Sequence, residues 1–158
     1  MRFYELIKIL TIKKEKKMTL DKALKKINSE NCPAGLQLDL TGNGIGDEGA
    51  QALAQVLASG QCPSELYLDL SGNSITDLGA QALAKALASG DCPSGLNLNL
   101  NENWIRDEGA QALAKGLASG NFPSVLHLYY NEIGDNGAQA FAEALASGNC
   151  PVGFDLEL

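Results

Sequence analysis

Several stretches of this sequence carry residue types that do chemistry in other proteins. Gly44-Ile45-Gly46-Asp47-Glu48-Gly49 fits G-x-G-x-x-G between a strand-like and a helix-like segment, the arrangement in which backbone N–H groups at a helix start cradle a pyrophosphate. The same slots hold Ser74 and Thr76 in a near-identical stretch further on, and Trp104 and Arg106 in a third. Asp47 and Glu48 would also set two carboxylates where a phosphate has to sit. The match is not a nucleotide loop. The acid-rich run DLTGNGIGDE lacks the alternating oxygen ligands and closing glutamate of a calcium loop. His127 is the sole histidine, so an imidazole metal cluster cannot be assembled.

The cysteines are Cys32, Cys62, Cys92 and Cys150, with the first three 30 residues apart and Phe122 in the matching slot of the fourth stretch. Zinc sites want close pairs such as C-x2-C. Phe as a substitute marks the slot as apolar. Buried, reduced thiols in a reducing compartment are the expectation; stacked disulfides and a metal site are the other readings. No G-x-S-x-G, H-E-x-x-H or Walker sequence occurs. A Cys–His pair would need His127, on an outward strand position, to meet thiols that point inward. No enzymatic activity, cofactor or metal is expected.

The elements that hold these residues repeat. LQLDLTGNGIGDEGAQALAQVLASG starts at Leu36, LYLDLSGNSITDLGAQALAKALASG at Leu66 and LNLNLNENWIRDEGAQALAKGLASG at Leu96. A copy two residues shorter starts at Leu126 and a partial one at Phe154. A fixed period of this size means a solenoid whose units bury their apolar sides against one another. Within a unit, L-x-L-x-L alternates with period two, so Leu36, Leu38 and Leu40 face inward and Gln37, Asp39 and Thr41 outward. A turn carries Asn43, and Ile45 returns to the core. Asp47 is expected to cap the helix that follows it, and Gly49 to let that helix approach the strand. Leu53 and Leu57 fill the gap, Gly60 ends the helix in left-handed backbone, and Pro63 stops it from continuing. The fold class is therefore α/β, with parallel strands on a concave side and α-helices on a convex side. Strands pack about 4.8 Å apart and helices about 8–10 Å apart, so the stack has to curve. Asn43, Asn73, Asn103 and Asn131 form a ladder at the strand-to-turn corner, where an amide can satisfy both N–H and C=O groups. In the fourth copy, which loses two residues before Asn131, the corner is expected to be tighter.

The ends differ from the middle. Residues 1–18 match no repeat; Phe3, Leu6, Ile7 and Leu10 sit at helical spacing ahead of a lysine-rich run. This segment reads as a loosely attached extension, with membrane or partner recruitment through an amphipathic helix, or a true start at Met18, as alternatives. Glu5 and Lys8 interrupt the apolar run that a secretory signal needs. Residues 19–30 carry an apolar stripe of Leu20, Ala23, Leu24 and Ile27 and read as an N-terminal cap helix with Thr19 at its N-cap. Repeats then begin at 35, 65, 95 and 125, with a partial one from 153. Residues 1–30 hold nine Lys/Arg against four acids, whereas 31–158 hold three against fifteen. An acidic body repels nucleic acid and suits a basic partner. The final strand, Phe154–Leu158, is expected to be half covered and open to self-association or to further repeats.

GLQLDLTGNGI, ELYLDLSGNSI and GLNLNLNENWI resemble the leucine-rich repeat L-x-x-L-x-L-x-x-N-x-L of the ribonuclease-inhibitor-like class, with its helical convex side, over roughly residues 19–158. The first leucine of that pattern is replaced by Gly35, Glu65 and Gly95. The ALASG-x-C-P-S spacing further resembles leucine-rich-repeat effectors that bacterial pathogens inject into host cells by type IV secretion. The resemblance implies a bacterial effector that acts in the host cytoplasm after synthesis in the bacterial one.

Binding is expected on the outward strand positions. One row is Gln37, Tyr67, Asn97, His127 and Asp155; the other is Asp39, Asp69, Asn99, Tyr129 and Glu157. These vary between copies while the leucines stay constant, which is how a fixed scaffold carries a recognition surface. Trp104, in a loop where other copies hold Gly44 or Ser74, is a further candidate anchor. The expected function is a non-enzymatic module that binds a protein partner; a structural or regulatory segment of a larger protein is the alternative.

Overall fold

The structure, a computed structural model, describes residues 18–29, 32–120, 123–150 and 153–158. The helical stripe at residues 3–10 and the slot of Phe122 lie outside the described residues. The elements run α1 (Leu20–Ile27), β1 (Gln37–Asp39), α2 (Gly46–Leu57), β2 (Tyr67–Asp69), α3 (Asp77–Leu87), β3 (Asn97–Asn99), α4 (Asp107–Leu117), β4 (Val125–His127), α5 (Asp135–Ala146) and β5 (Asp155–Glu157). The strands form one sheet in chain order, each parallel to the next. The molecule is an α/β solenoid with strands on one side and α2–α5 stacked on the other.

Leucine burial organises the stack. Leu38, Leu68, Leu98, Leu126 and Leu156 pair level with one another across the sheet, and the first four are fully buried. Columns of Ile45, Ile75 and Ile105 and of Leu53, Leu83, Leu113 and Phe141 fill the space between sheet and helices. At about 25 cal/mol per Å² of apolar area removed from water, these columns are the main stabilising term. The cap helix α1 seals one end with Ala23 and Ile27, both buried. Thr19 holds the N-cap position of α1, but its side chain makes no cap hydrogen bond.

Two hydrogen-bond ladders fix the distance and register between units, and they run in opposite directions. In the first, the Asn73 Oδ1 accepts the N–H groups of Asn43 and Ile45 in the preceding repeat at 2.9 and 3.2 Å, while its Nδ2 donates to the Leu40 carbonyl at 3.0 Å. Asn103 repeats the pattern on Asn73 N, Ile75 N and Leu70 O. Asn131 accepts from Ile105 N and donates to Leu100 O. Each asparagine thus serves the corner before it. Asn43 has no such corner to serve, and its buried Nδ2 has no partner among the described residues.

The aspartates point the other way. Asp47 does not cap its own helix: α2 begins one residue earlier, at Gly46, with Ile45 in the cap position. Its side chain instead crosses to the next repeat, accepting from Thr76 N, Thr76 Oγ1 and Gly79 N at 2.8, 2.7 and 2.9 Å. Asp77 accepts in the same way from Arg106 N and Gly109 N, and Asp107 from Gly134 N and Gly137 N. A carboxylate facing the free N–H groups of a helix start is favoured by geometry and by the helix dipole. A Cβ on Gly49 would run into the Ile45 Cγ2 of its own corner and the Leu20 side chain of α1, so this glycine lets its helix pack close. A Cβ on Gly79 would lie 2.6 Å from Asp47 Oδ1 and 3.1 Å from the Ala50 Cβ, so the glycine makes room for the incoming carboxylate and the neighbouring helix.

The fourth corner is not tighter. Asn131 Nδ2 still donates to Leu128 O at 2.9 Å, as Asn103 does to Leu100 O at 3.0 Å. The two missing residues lie earlier, between Pro123 and β4, so Ser124 takes the place of Leu96 in the core column.

Asn73→Ala strands two N–H groups and a carbonyl and is expected to destabilise the chain by about 2–4 kcal/mol, whereas Asn43→Ala is expected to cost less than about 1 kcal/mol. Denaturant unfolding of both variants checks the direction of the ladder; equal losses would contradict it.

Candidate interaction surface

The strand face carries the outward side chains that the sequence singles out, but the register in the fourth repeat changes the rows. Gln37, Tyr67 and Asn97 align with Val125 and Asp155; Asp39, Asp69 and Asn99 align with His127 and Glu157. His127 therefore belongs to the second row, and Val125 takes its expected place in the first. Tyr129 lies past the end of β4, its N–H bonded to Asn101 Oδ1 at 2.6 Å. The physical cause is the pair of residues missing before β4. Lining up the fourth copy on Asn131 instead of Pro123 would have shown it from sequence.

Asp69 is the centre of the face. Its carboxylate accepts from the Ser71 Oγ at 2.6 Å, Ser71 N at 2.9 Å, Tyr67 Oη at 3.1 Å and Asn99 Nδ2 at 3.1 Å. Burial acts to raise its pKa, but the hydrogen bonds from Ser71, Tyr67 and Asn99 outweigh burial and hold it below the ordinary carboxylate value. Burial and the neighbouring Asp69 charge push the Tyr67 hydroxyl the other way, up, so it stays a donor. Tyr67, Asp69 and Asn99 thus form one connected group across β2 and β3. Gln37 and Asp39 stand exposed on β1, with Asp39 accepting from Thr41 N at 3.0 Å. At the other end His127 Nδ1 meets Glu157 Oε2 at 2.7 Å. The Oδ1 of Asn97, between Tyr67 and Val125, is buried without a partner among the described residues.

Large exposed side chains gather at the corners. Trp104 is 58% exposed and Tyr130 75% exposed; Tyr130 carries no repeat signature, because the matching corner position is Gly42, Gly72 or Glu102 in the other copies. All four cysteines are free, and half-buried instead of fully buried. The Cys62 and Cys150 thiols donate to Val56 O and Ala144 O, the carbonyls of the preceding helix ends. Burial and the neighbouring Cys32 push the Cys62 thiol up to about 11, and burial, Cys62 and Asp91 push Cys92 to about 12. Among the described residues no group of His, Cys, Asp and Glu could hold a metal ion, and no helix is long and apolar enough to cross a membrane.

Comparison with known proteins settles what the repeats are. The family model described as Leucine Rich repeat matches residues 36–54, 66–84, 96–114 and 124–142. The chain carries four leucine-rich repeats. Each matched segment runs from the inward leucines through the corner asparagine into the helix, and the fourth starts at Ser124, in keeping with the observed register. Among solved structures, this leucine-rich-repeat chain is similar to leiomodin-1 actin-binding site 2, at a TM-score of 0.71 and 18% identity, over 89% of this chain and 79% of that one. At that identity the likeness is one of fold. No curated protein matches the chain significantly.

Because the Asp69 pKa lies below its ordinary value, the stability it contributes is present above that value and is lost as pH falls through the lowered one. The melting temperature of Asp69→Asn is therefore expected to fall less steeply than that of the wild type as pH drops below about 4. Parallel acid limbs in thermal melts would refute a stabilising role for the Asp69 charge.

Proposed function

We propose that this leucine-rich-repeat protein is a non-enzymatic module that binds a protein partner on its strand face, through Asp39, Tyr67, Asp69, Asn97, Asn99 and His127. The observation that carries the reading is the connected group of Tyr67, Asp69 and Asn99. These side chains are held in place before any partner arrives, which lowers the entropy lost on binding. None of them belongs to either inter-repeat ladder. A groove of about 540 Å³ between α2 and α3 is lined by Gln51, Gln55, Leu78, Ala82 and Lys85, a set without an acid–base pair for catalysis. The similar fold of an actin-binding site supports a protein as the class of ligand. The ALASG-x-C-P-S spacing supports the finer part of the proposal: a bacterial effector that leaves the bacterial cytoplasm by type IV secretion and meets its partner in the host cytoplasm.

The test is quantitative capture on immobilised wild type and on Asp39→Ala/Tyr67→Ala/His127→Ala, from host-cell and bacterial lysates. Proteins retained from host lysate by the wild type and lost by the triple variant are expected, with both baits equally folded by circular dichroism. Identical retention on both removes the strand face as the site. Retention from bacterial lysate alone removes the effector part.

A second reading, edge-on assembly of the solenoid, draws support from the C-terminal side. Leu158 is 47% exposed just past the outer strand, and the Asp135 carboxylate, the counterpart of Asp47, Asp77 and Asp107, has no helix start to serve among the described residues. Sedimentation velocity is expected to show a concentration-dependent species larger than 16.6 kDa that Leu158→Lys abolishes; a monomer at all concentrations sinks it.

A further inference from the structure

The strand-to-helix corners change character along the solenoid. The residue before the ladder asparagine has left-handed backbone in all four repeats, with φ +57° at Gly42, +64° at Gly72, +55° at Glu102 and +54° at Tyr130. Glycine takes this conformation freely, whereas a residue with a Cβ is strained there. The first two repeats use glycine. The third and fourth use a carboxylate and a bulky aromatic, so the fold has no need of either. One residue after the asparagine the contrast returns: Gly44 and Ser74 in the first two repeats, Trp104 and Glu132 in the next two.

Backbone hydrogen bonds place these four side chains on adjacent corners. Glu102 N donates to Tyr129 O, which sets Tyr130 beside Glu102. Trp104 N donates to Ile75 O, and Glu132 N makes the same bond to Ile105 O one repeat on. The Tyr130 ring meets Tyr129 edge-on, with centroids 5.0 Å apart and planes at 74°, which restricts its orientation. The cation nearest in sequence, Arg106, is already bound to Glu132 at 2.7 Å. The Glu102 carboxylate has no partner among the described residues.

We propose that the corners of the third and fourth repeats form a second binding surface, on which a lysine- or arginine-bearing segment of a protein partner lays its cation against Trp104 and Tyr130 beside the Glu102 carboxylate. The proposal rests on the reading of the chain as a protein-binding module and names the chemistry of the bound segment. An aromatic face attracts a cation through its quadrupole, and tryptophan and tyrosine are the strongest partners for it. Charge complementarity selects the same occupant: residues 31–158 carry fifteen acids against three basic residues. Of those three, Lys85 and Lys115 lie on helices α3 and α4.

The experiment uses the full chain and two fluorescein-labelled ten-residue peptides, one alternating arginine with glycine and one alternating glutamate with glycine, read by fluorescence anisotropy. The arginine peptide is expected to bind the wild type and the glutamate peptide not to bind. Trp104→Ser with Tyr130→Gly, residues of the kind that the first two repeats carry, is expected to weaken binding about tenfold. Glu102→Gln is expected to weaken it about threefold, and the charge control Asp91→Asn less than about twofold. The melting temperature of the double variant is expected to equal or exceed that of the wild type, because glycine relieves the left-handed strain. Failure of the arginine peptide to bind, unchanged affinity in the double variant, an equal loss in Asp91→Asn, or a lowered melting temperature in the double variant each overturn the proposal. If the strand-face triple variant loses the arginine peptide while the double variant keeps it, the corner assignment falls and the protein-binding reading survives.

Discussion

A repeat of this chain cannot close its own hydrogen bonds. The corner after each strand leaves N–H groups that the next repeat's asparagine accepts, and the start of each helix leaves N–H groups that the previous repeat's aspartate accepts. A buried donor without an acceptor costs about 1–3 kcal/mol, so neither group tolerates a neighbour at the wrong height or angle. The leucine columns supply attraction, which is indifferent to small slips. The two ladders supply the geometry. Because one ladder reaches backward and the other forward, each junction is clamped at two places, on the corner and at the helix start.

That division of labour explains which residues are free to serve a partner. Leucines, isoleucines, corner asparagines, helix aspartates and the glycines facing them are all committed to the stack. What remains on the strand side is the outward rows, and at the corners the two positions flanking each asparagine. The variety in the chain is concentrated there: tyrosine, histidine, asparagine and aspartate on the strands, and glycine giving way to glutamate, tyrosine and tryptophan at the corners. Tyr67, Asp69 and Asn99 show that this variable layer is itself ordered by hydrogen bonds between adjacent strands.

Much of the architecture was legible in the sequence because it depends on periodicity. The period of 30, the alternation of L-x-L-x-L and the single type of residue at the corner are enough for a parallel sheet with helices on one side, and Leu38, Leu68 and Leu98 stand level as that pattern requires. The direction in which a side chain reaches is a different kind of information. Asp47 sits at a helix start in the sequence, yet its acceptor oxygens serve Thr76 and Gly79, because the N–H groups of the neighbouring helix start lie within reach. The register of the fourth repeat comes out wrong when the copy is lined up on Pro123, since one gap in a repeat can be drawn at several points; the pairing of β3 with β4 decides between them. The thiols of Cys62 and Cys150 were read as wholly apolar, and instead share helix-end carbonyls, a contact with no periodic signature.

The shortened fourth repeat carries a consequence for how such a chain changes length in evolution. The loss of two residues falls in the connection before β4, so the spacing from Leu126 to Asn131 equals that from Leu98 to Asn103 and Leu126 still stands beneath Leu98. The corner shows no such difference, since each ladder amide meets its N–H and C=O groups at fixed positions. The difference in length is thus absorbed in the connection ahead of a strand, while the span from strand to asparagine keeps one length in all four repeats.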